Sequence, residues 1–347
     1  MARTSNALSR AISRAKGWVQ RNPALYSLAY RLTTSHLQGI GQALQRSRYH
    51  SRFGGTWIDR RDFARRLAAK QRRGEVSESE ATELERFERD GFLVYERAVD
   101  PALIDRLLGE IDRERAVDAP RLMVDDAGGG PRAYTPDALR PTSGTRIVDF
   151  HFLSETARAA LFSNRVTRFL ETLFERDPIL TQSLYFEYGS SQPLHQDTGY
   201  VVMNSPLRMA ACWIALEDIE PGSGELAYYP ESHRFPDWFF SRYFKHFDQE
   251  RDGPDAQECW LSWIHEEAAR RGIAMQRFLP KKGDVFVWHA DLAHGGTPVE
   301  NVGRTRRSLV GHFCPVGVRP LYAYYLPDRR RAYGESARRY MSSYYSA

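Results

Sequence analysis

The sequence predicts a mainly β protein with helical flanks: an antiparallel sandwich or barrel, preceded by N-terminal helices and interrupted by one helical, aromatic insert. Three observations lead there. Between residues 79 and 175 the apolar residues recur at helical spacing, and from Ile179 onward they fall into short runs punctuated by turn residues. The 347 residues suffice for one elaborated domain with a full core. At 42% hydrophobic and 27% charged the composition is that of a soluble protein, and no run of eighteen apolar residues offers a membrane span.

The first element expected is a helix over residues 4–20, with Leu8, Ile12, Ala15 and Val19 on one stripe and Arg10, Arg14 and Lys16 elsewhere. A second helix is expected from about Pro23 to Arg48. Residues 1–75 hold sixteen Arg or Lys against three Asp or Glu, a balance of +13 that leaves −8 for the rest. This predicts a basic helical N-terminal arm. It either packs on the main domain with a solvated basic face, or makes peripheral contact with an anionic membrane or a protein partner. No nucleic-acid recognition motif accompanies the charge. The polar opening lacks the apolar segment of a secretory signal. Three cysteines (Cys212, Cys259 and Cys314) without CxxC spacing point to a reducing, cytoplasmic setting.

Residues 53–59 read as a turn and 75–79 as a linker. A helix is expected over 79–90, a strand at 92–95 and a helix over 101–115, followed by a mobile loop at Gly128-Gly129-Gly130-Pro131 and a helix over 155–175 stopped by Asp177-Pro178. Strands are then expected at about 180–188, 195–203, 207–216, 225–229, 284–288 and 306–313. Residues 234–280, with Phe235, Trp238, Phe240, Trp260 and Trp263, form the insert, either a lid beside a site or a layer closing one end of the sheet. The main domain is expected to span 76–320, with a C-terminal tail over 321–347.

The chemistry is concentrated in His195-Gln196-Asp197. On a strand, residues i and i+2 share a face, so His195 and Asp197 present an imidazole and a carboxylate to one point. About a hundred residues later, Gly283-Asp284-Val285-Phe286-Val287-Trp288-His289 runs into His294-Gly295. Two histidines and one carboxylate on one face of a metal is the arrangement of non-haem Fe(II) oxygenases. The second histidine is His294 or, less simply, His289. Such an iron leaves room for a chelating 2-oxo acid and for dioxygen. The far carboxylate of a 2-oxo dicarboxylate then calls for an Arg fork. Arg304, Arg306 and Arg307 are the candidates. Strand parity with Ser308 favours Arg306.

These stretches, in order, resemble the phytanoyl-CoA dioxygenase family of Fe(II)/2-oxoglutarate oxygenases. The resemblance rests on Phe87-Glu88-Arg89-Asp90-Gly91-Phe92, Gln182-Ser183-Leu184-Tyr185-Phe186, His195-Gln196-Asp197-Thr198 and Cys212-Trp213-Ile214-Ala215-Leu216. It continues through Gly224-Glu225-Leu226, Pro230-Glu231-Ser232-His233, Gly283-Asp284-Val285, His294-Gly295 and Arg306-Arg307-Ser308. It covers roughly residues 80–315 and implies a double-stranded β-helix, the cupin-like jelly roll. It makes His195, Asp197 and His294 the iron ligands and Arg306 the 2-oxoglutarate anchor, with Gln182 and Ser308 beside the co-substrate and Trp213 shaping the pocket. Two turns depart from the family pattern: Ser223-Gly224 stands for Asn-Gly, and Pro230-Glu231-Ser232-His233 for Pro-Gly-Ser-His.

The resemblance also implies the reaction: Fe(II), 2-oxoglutarate and dioxygen oxidise a C–H bond, with succinate and carbon dioxide released. A carboxylate at Asp197, the position that related halogenases leave open for chloride, favours hydroxylation. Desaturation or cyclisation with the same cofactors, and a non-catalytic jelly-roll binding protein, are the alternatives. The expected partner is a small-molecule or lipid-like substrate, and the aromatic insert favours an apolar or bulky one.

Overall fold

The computed structural model describes residues 45–126, 130–241, 243–321 and 331–346. The helices expected over 4–20 and over most of 23–48 lie outside the described residues, as does most of the basic arm.

The chain from Tyr49 onward packs against the body of the protein. A short 3-10 turn, Trp57–Asp59, is followed by helix α1, Phe63–Arg72. Trp57, Ile58, Phe63 and Leu67 are buried in the same core as the main sheet, so this part of the expected arm belongs to that core. Helix α2, Glu78–Asp90, begins where Ser77 accepts the amide of Glu80 and Glu80 answers on the Ser77 amide, a capping box. It ends at Gly91, whose φ of +83° supplies the left-handed stop. The expected linker at 75–79 is therefore short, and Val76 within it is buried. Strand β1 (Phe92–Tyr95) and helix α3 (Pro101–Arg115, with Asp100 as cap) follow as expected.

Residues 123–148 hold three strands the sequence reading lacks: β2 (Met123–Asp126), β3 (Gly130–Ala133) and β4 (Arg146–Val148). Each is three or four residues long in a stretch rich in Gly, Pro and charge, too short to show a period. Gly130 and Pro131, expected in a mobile loop, pair in β3 with Asp126 and Asp125. The helix expected over 155–175 is instead two, α5 (Glu155–Leu161) and α6 (Asn164–Phe174), after a single turn α4 (Phe150–Leu153). Ser163 takes an extended conformation between them, the backbone typical of an N-cap.

Strand β5 (Pro178–Phe186) opens the jelly roll, followed by β6 (Ala210–Ala215), β7 (Leu226–Tyr228), β8 (Gln276–Phe278), β9 (Val285–His289), β10 (His294–Gly296), β11 (Ser308–Pro315) and β12 (Arg339–Tyr340). They form two sheets, neither closed on itself. The larger runs β1-β9-β6-β11-β5-β4-β2-β3, with β12 added parallel to β5; the smaller runs β10-β7-β8. All other pairings are antiparallel. One face of the large sheet (Leu180, Tyr185, Cys212, Ile214, Val285, Val287, Leu309, Phe313) is covered by the helices. The other face (Phe186, Trp213, Phe286, Trp288, Val310) packs on Leu226 and Tyr228 of the small sheet. Burial on both faces is why β6 and β9 read as continuous apolar runs rather than alternating ones.

Among the described residues of the insert, α-helix is confined to α7 (Gln249–Asp252) and α8 (Ala256–Arg270), and its last part becomes β8. The aromatic residues before α7 pack around Trp260 without forming a helix. The cysteines are free, with Cys212 and Cys314 buried. No helix among the described residues is long and apolar enough to cross a membrane.

Candidate metal centre and adjoining cavity

His195, Asp197 and His294 come together as expected, by a different route. The strand expected over 195–203 is absent. His195 forms a single antiparallel bridge with His294, through His195 N to His294 O at 2.8 Å and His294 N to His195 O at 2.9 Å. Asp197 then begins a 3-10 turn, Asp197–Gly199, packed beneath Trp260. Shared strand parity is thus replaced by a β-bridge that sets the two histidines side by side and a turn that swings the carboxylate toward them.

One ligand atom from each of the three residues lies within 4.8 Å of the others, and all three residues are buried. The Nδ1–H of His195 donates to Pro193 O at 2.8 Å, and that of His294 to Leu292 O at 2.9 Å. Those bonds leave both Nε2 lone pairs facing Asp197 Oδ1, at 3.8 and 3.6 Å. The other carboxylate oxygen, Oδ2, accepts from Trp288 Nε1 at 2.8 Å and stands 3.7 Å from His312 Nε2. Burial, then the neighbouring His294, lowers the His195 pKa to about 4, keeping the imidazole neutral. Burial disfavours the Asp197 anion, but His294 and His312 beside it outweigh that and hold its pKa below the usual carboxylate range. A neutral His195 imidazole and an ionised Asp197 carboxylate are protonation states suited to a divalent metal. The donor set, tautomers and burial all fit Fe(II).

The triad opens into a cavity of about 920 Å3 between the two sheets. Arg306 lies in its wall just before β11, only 3% exposed, with Nη1 donating to Ser308 Oγ at 3.2 Å. Its guanidinium stands 5.3 Å from the Phe186 ring and 5.7 Å from that of Trp213. Its Nε has no partner, and among the described residues no carboxylate forms an ion pair with it. Burial lowers its pKa to about 10, leaving a charged, desolvated fork that fits a carboxylate of 2-oxoglutarate. The neighbouring arginines are engaged elsewhere: Arg307 pairs with Glu187 at 3.0 Å and Arg304 with Glu220 at 3.5 Å.

Gln182 and Trp213 line the cavity, and the buried Trp213 Nε1 has no hydrogen-bond partner among the described residues. Ser308 is fully buried behind Arg306 and braces it rather than facing the open space. His289 turns away from the triad; its Nε2 meets Asp59 Oδ1 at 3.0 Å. His233 bonds Glu88 O at 2.9 Å, joining its turn to the end of α2. Two residues at the centre went unread in the sequence, Trp288 and His312. Strand parity was the available signal for His312, which follows Ser308 and Val310 at every second position of β11.

Residues 87–308 match the family model described as Phytanoyl-CoA dioxygenase (PhyH). No curated protein matches the chain. Among solved structures, the epimerase SnoN in complex with Fe3+, alpha ketoglutarate and nogalamycin RO aligns at 18% identity and a TM-score of 0.52, covering 74% of this chain and 96% of that one. EctD from S. alaskensis with 2-oxoglutarate and 5-hydroxyectoine aligns at 19% identity and a TM-score of 0.49, over 71% of this chain and 78% of that one. The alpha ketoglutarate dependent carbocyclase SnoK from nogalamycin biosynthesis aligns at 13% and 0.48, over 71% and 87%. The SnoN likeness shows a shared fold. With more than half of its residues matched to that family model, and with the jelly roll and the buried His-Asp-His group in place, the chain belongs to the phytanoyl-CoA dioxygenase family.

Proposed function

We propose that the protein is an Fe(II)- and 2-oxoglutarate-dependent dioxygenase that hydroxylates an aliphatic C–H of a small or lipid-like molecule. One observation carries the reading. A buried set of two histidines and one carboxylate shares a cavity with a buried arginine that has no carboxylate partner among the described residues. His195 and His294 hold the metal through Nε2 and Asp197 through an oxygen of its carboxylate. Arg306, braced by Ser308, takes the distal carboxylate of 2-oxoglutarate, with Gln182 and Trp213 alongside. When bound, the iron and its co-substrate supply the oxidising equivalent from dioxygen, releasing succinate and carbon dioxide.

The chain's own contribution is positional. Backbone carbonyls orient both imidazoles, Trp288 and His312 orient the carboxylate, and the apolar walls at Leu184, Phe186, Leu226 and Val310 exclude water. The filled carboxylate position at Asp197 supports oxygen transfer over halide transfer. The cavity is several times larger than a five-carbon dicarboxylate needs, which supports a second, bulkier molecule beside the co-substrate.

Conversion of 2-oxoglutarate to succinate tests this, with Fe(II) and ascorbate under air. Wild-type protein is expected to turn over slowly without substrate, and Asp197→Ala to fall to background. Undiminished turnover in that variant would remove Asp197 from the ligand set, and no succinate from wild type would remove the reading itself.

A further inference from the structure

The C-terminal segment reaches the same cavity from outside the family match, which ends at residue 308. Strand β12 lies parallel to β5, with Arg339 opposite Ile179 and Tyr340 opposite Leu180, and the amide of Met341 continues the pairing onto Leu180 O at 2.9 Å. Beyond it the chain is held by a fully buried polar cluster. Asp149, held at φ +53°, accepts from Ser342 Oγ at 2.7 Å and from the Ser343 amide at 3.0 Å, while its other oxygen takes the Ser183 amide at 2.9 Å. His151 spans the same gap, with Nδ1 on Ser183 Oγ at 2.7 Å and Nε2 on Met341 O at 2.9 Å.

Ser342 Oγ then accepts the amides of Tyr344 and Tyr345, turning the chain. Tyr345 fastens the far side: its hydroxyl accepts from Met123 N at 2.9 Å and donates to Arg121 O at 3.0 Å, and its ring stacks on Phe152. The residues between these two anchors, Ser343 and Tyr344, line the cavity. A fully buried carboxyl group and a left-handed backbone at Asp149 are costly features to maintain for a segment with no task. Their effect is to fix one aromatic side chain on the cavity wall.

We infer that the C-terminal segment is the outer wall of the substrate site, with Tyr344 a specificity-determining contact for a bulky apolar molecule and Asp149 the positioning residue that holds it there. The inference rests on the oxygenase reading for what happens to that molecule, but not for its binding. The other lining residues agree with the class: Met123, Leu184, Tyr200 and Leu261 share this cavity with Tyr344, and Gln257 Nε2 donates to the Tyr200 hydroxyl at 2.6 Å. Arg146 and Asp125 also line the cavity but pair with each other at 2.6 Å, so the mostly apolar wall selects by shape and apolar area.

The test uses full-length protein under anaerobic conditions with Fe(II) and 2-oxoglutarate, and N-phenyl-1-naphthylamine as an uncharged, bulky apolar fluorescent probe. Tyr344→Ala is expected to weaken probe binding about five-fold or more while the affinity for 2-oxoglutarate stays unchanged. Asp149→Asn is expected to speed hydrogen exchange over residues 339–346 and to weaken the probe in the same direction. If it fails to fold, Ser342→Ala tests the same anchor. Unchanged probe affinity in Tyr344→Ala, or loss of probe and 2-oxoglutarate binding together, overturns the inference. A wild-type protein that binds the probe through Tyr344 but never forms succinate would instead overturn the function proposed above and leave this site standing.

Discussion

Asp197 divides two tasks between its oxygens. Oδ1 faces both imidazoles, and Oδ2 is tied back by the Trp288 N–H at 2.8 Å, across 91 residues of sequence. Trp288→Phe keeps the ring against His294 but removes that bond. The carboxylate is then free to rotate, and metal affinity should fall roughly 10- to 100-fold, as when other outer partners of metal ligands are lost. Titration with Co(II), followed by its visible absorption, measures this; an unchanged affinity would mean that Trp288 only packs. The three residues that come together were legible, because a His-x-Asp pair and a later His-Gly occur in a recognisable order. Trp288 and His312 were not, since a tryptophan on an apolar strand reads as core, and only folding shows that its nitrogen ends on a carboxylate.

At the level of elements, the sequence is legible where local chemistry is strong and opaque where it is not. Helix α2 carries a capping box at Ser77 and a left-handed Gly91, and α3 begins at an Asp100 cap followed by Pro101, all signals that the sequence displays. The break between α5 and α6 is a Ser163-Asn164 step inside an otherwise unbroken helical period. The strand expected over 195–203 dissolves into a bridge and a turn because Asp197 and Gly199 satisfy their backbone groups locally. The turn at 230–233 is informative in another way. The family pattern has glycine where this chain has Glu231, and Glu231 is held at φ +62° with an exposed side chain. Glu231→Gly should therefore raise stability, by up to about 1 kcal/mol once the added freedom of the unfolded chain is subtracted. The urea midpoint would show it, and a lower midpoint would mean the glutamate makes a compensating contact.

For the molecule as a whole, His233, His246 and His151 weaken the fold in acid, while His289, whose pKa is raised beside Asp59, acts in the opposite sense. Burial lowers the pKa of His233 to about 3 and of His246 to about 4, and likewise lowers that of the fully buried His151. Each stays neutral in the fold while its unfolded counterpart takes up a proton near pH 6.5, so the unfolded chain binds more protons as the pH falls. The stability these groups contribute is complete above about pH 6.5 and is lost progressively toward their folded values. Thermal midpoints should decline from about pH 7 to about pH 4.5. A flat profile over that interval would contradict their burial as neutral groups. Whole-molecule packing also redraws the ends of the chain: Trp57 and Leu67 belong to the main core, and β12 adds a strand to the large sheet.

The sequence by itself determined the class of fold and which two histidines and carboxylate come together, and it offered arginine as the residue type suited to a carboxylate. Each of these follows from residue types in a fixed order or from a period that neighbouring residues reveal. Only the tertiary structure decided which arginine is buried without a carboxylate, which nitrogen of each histidine faces the centre, what restrains Asp197, and that the C-terminal segment walls the cavity. Those facts depend on partners separated by tens to hundreds of residues, and on burial that turns an ordinary side chain into a desolvated, directed one. Local pattern carries no record of either.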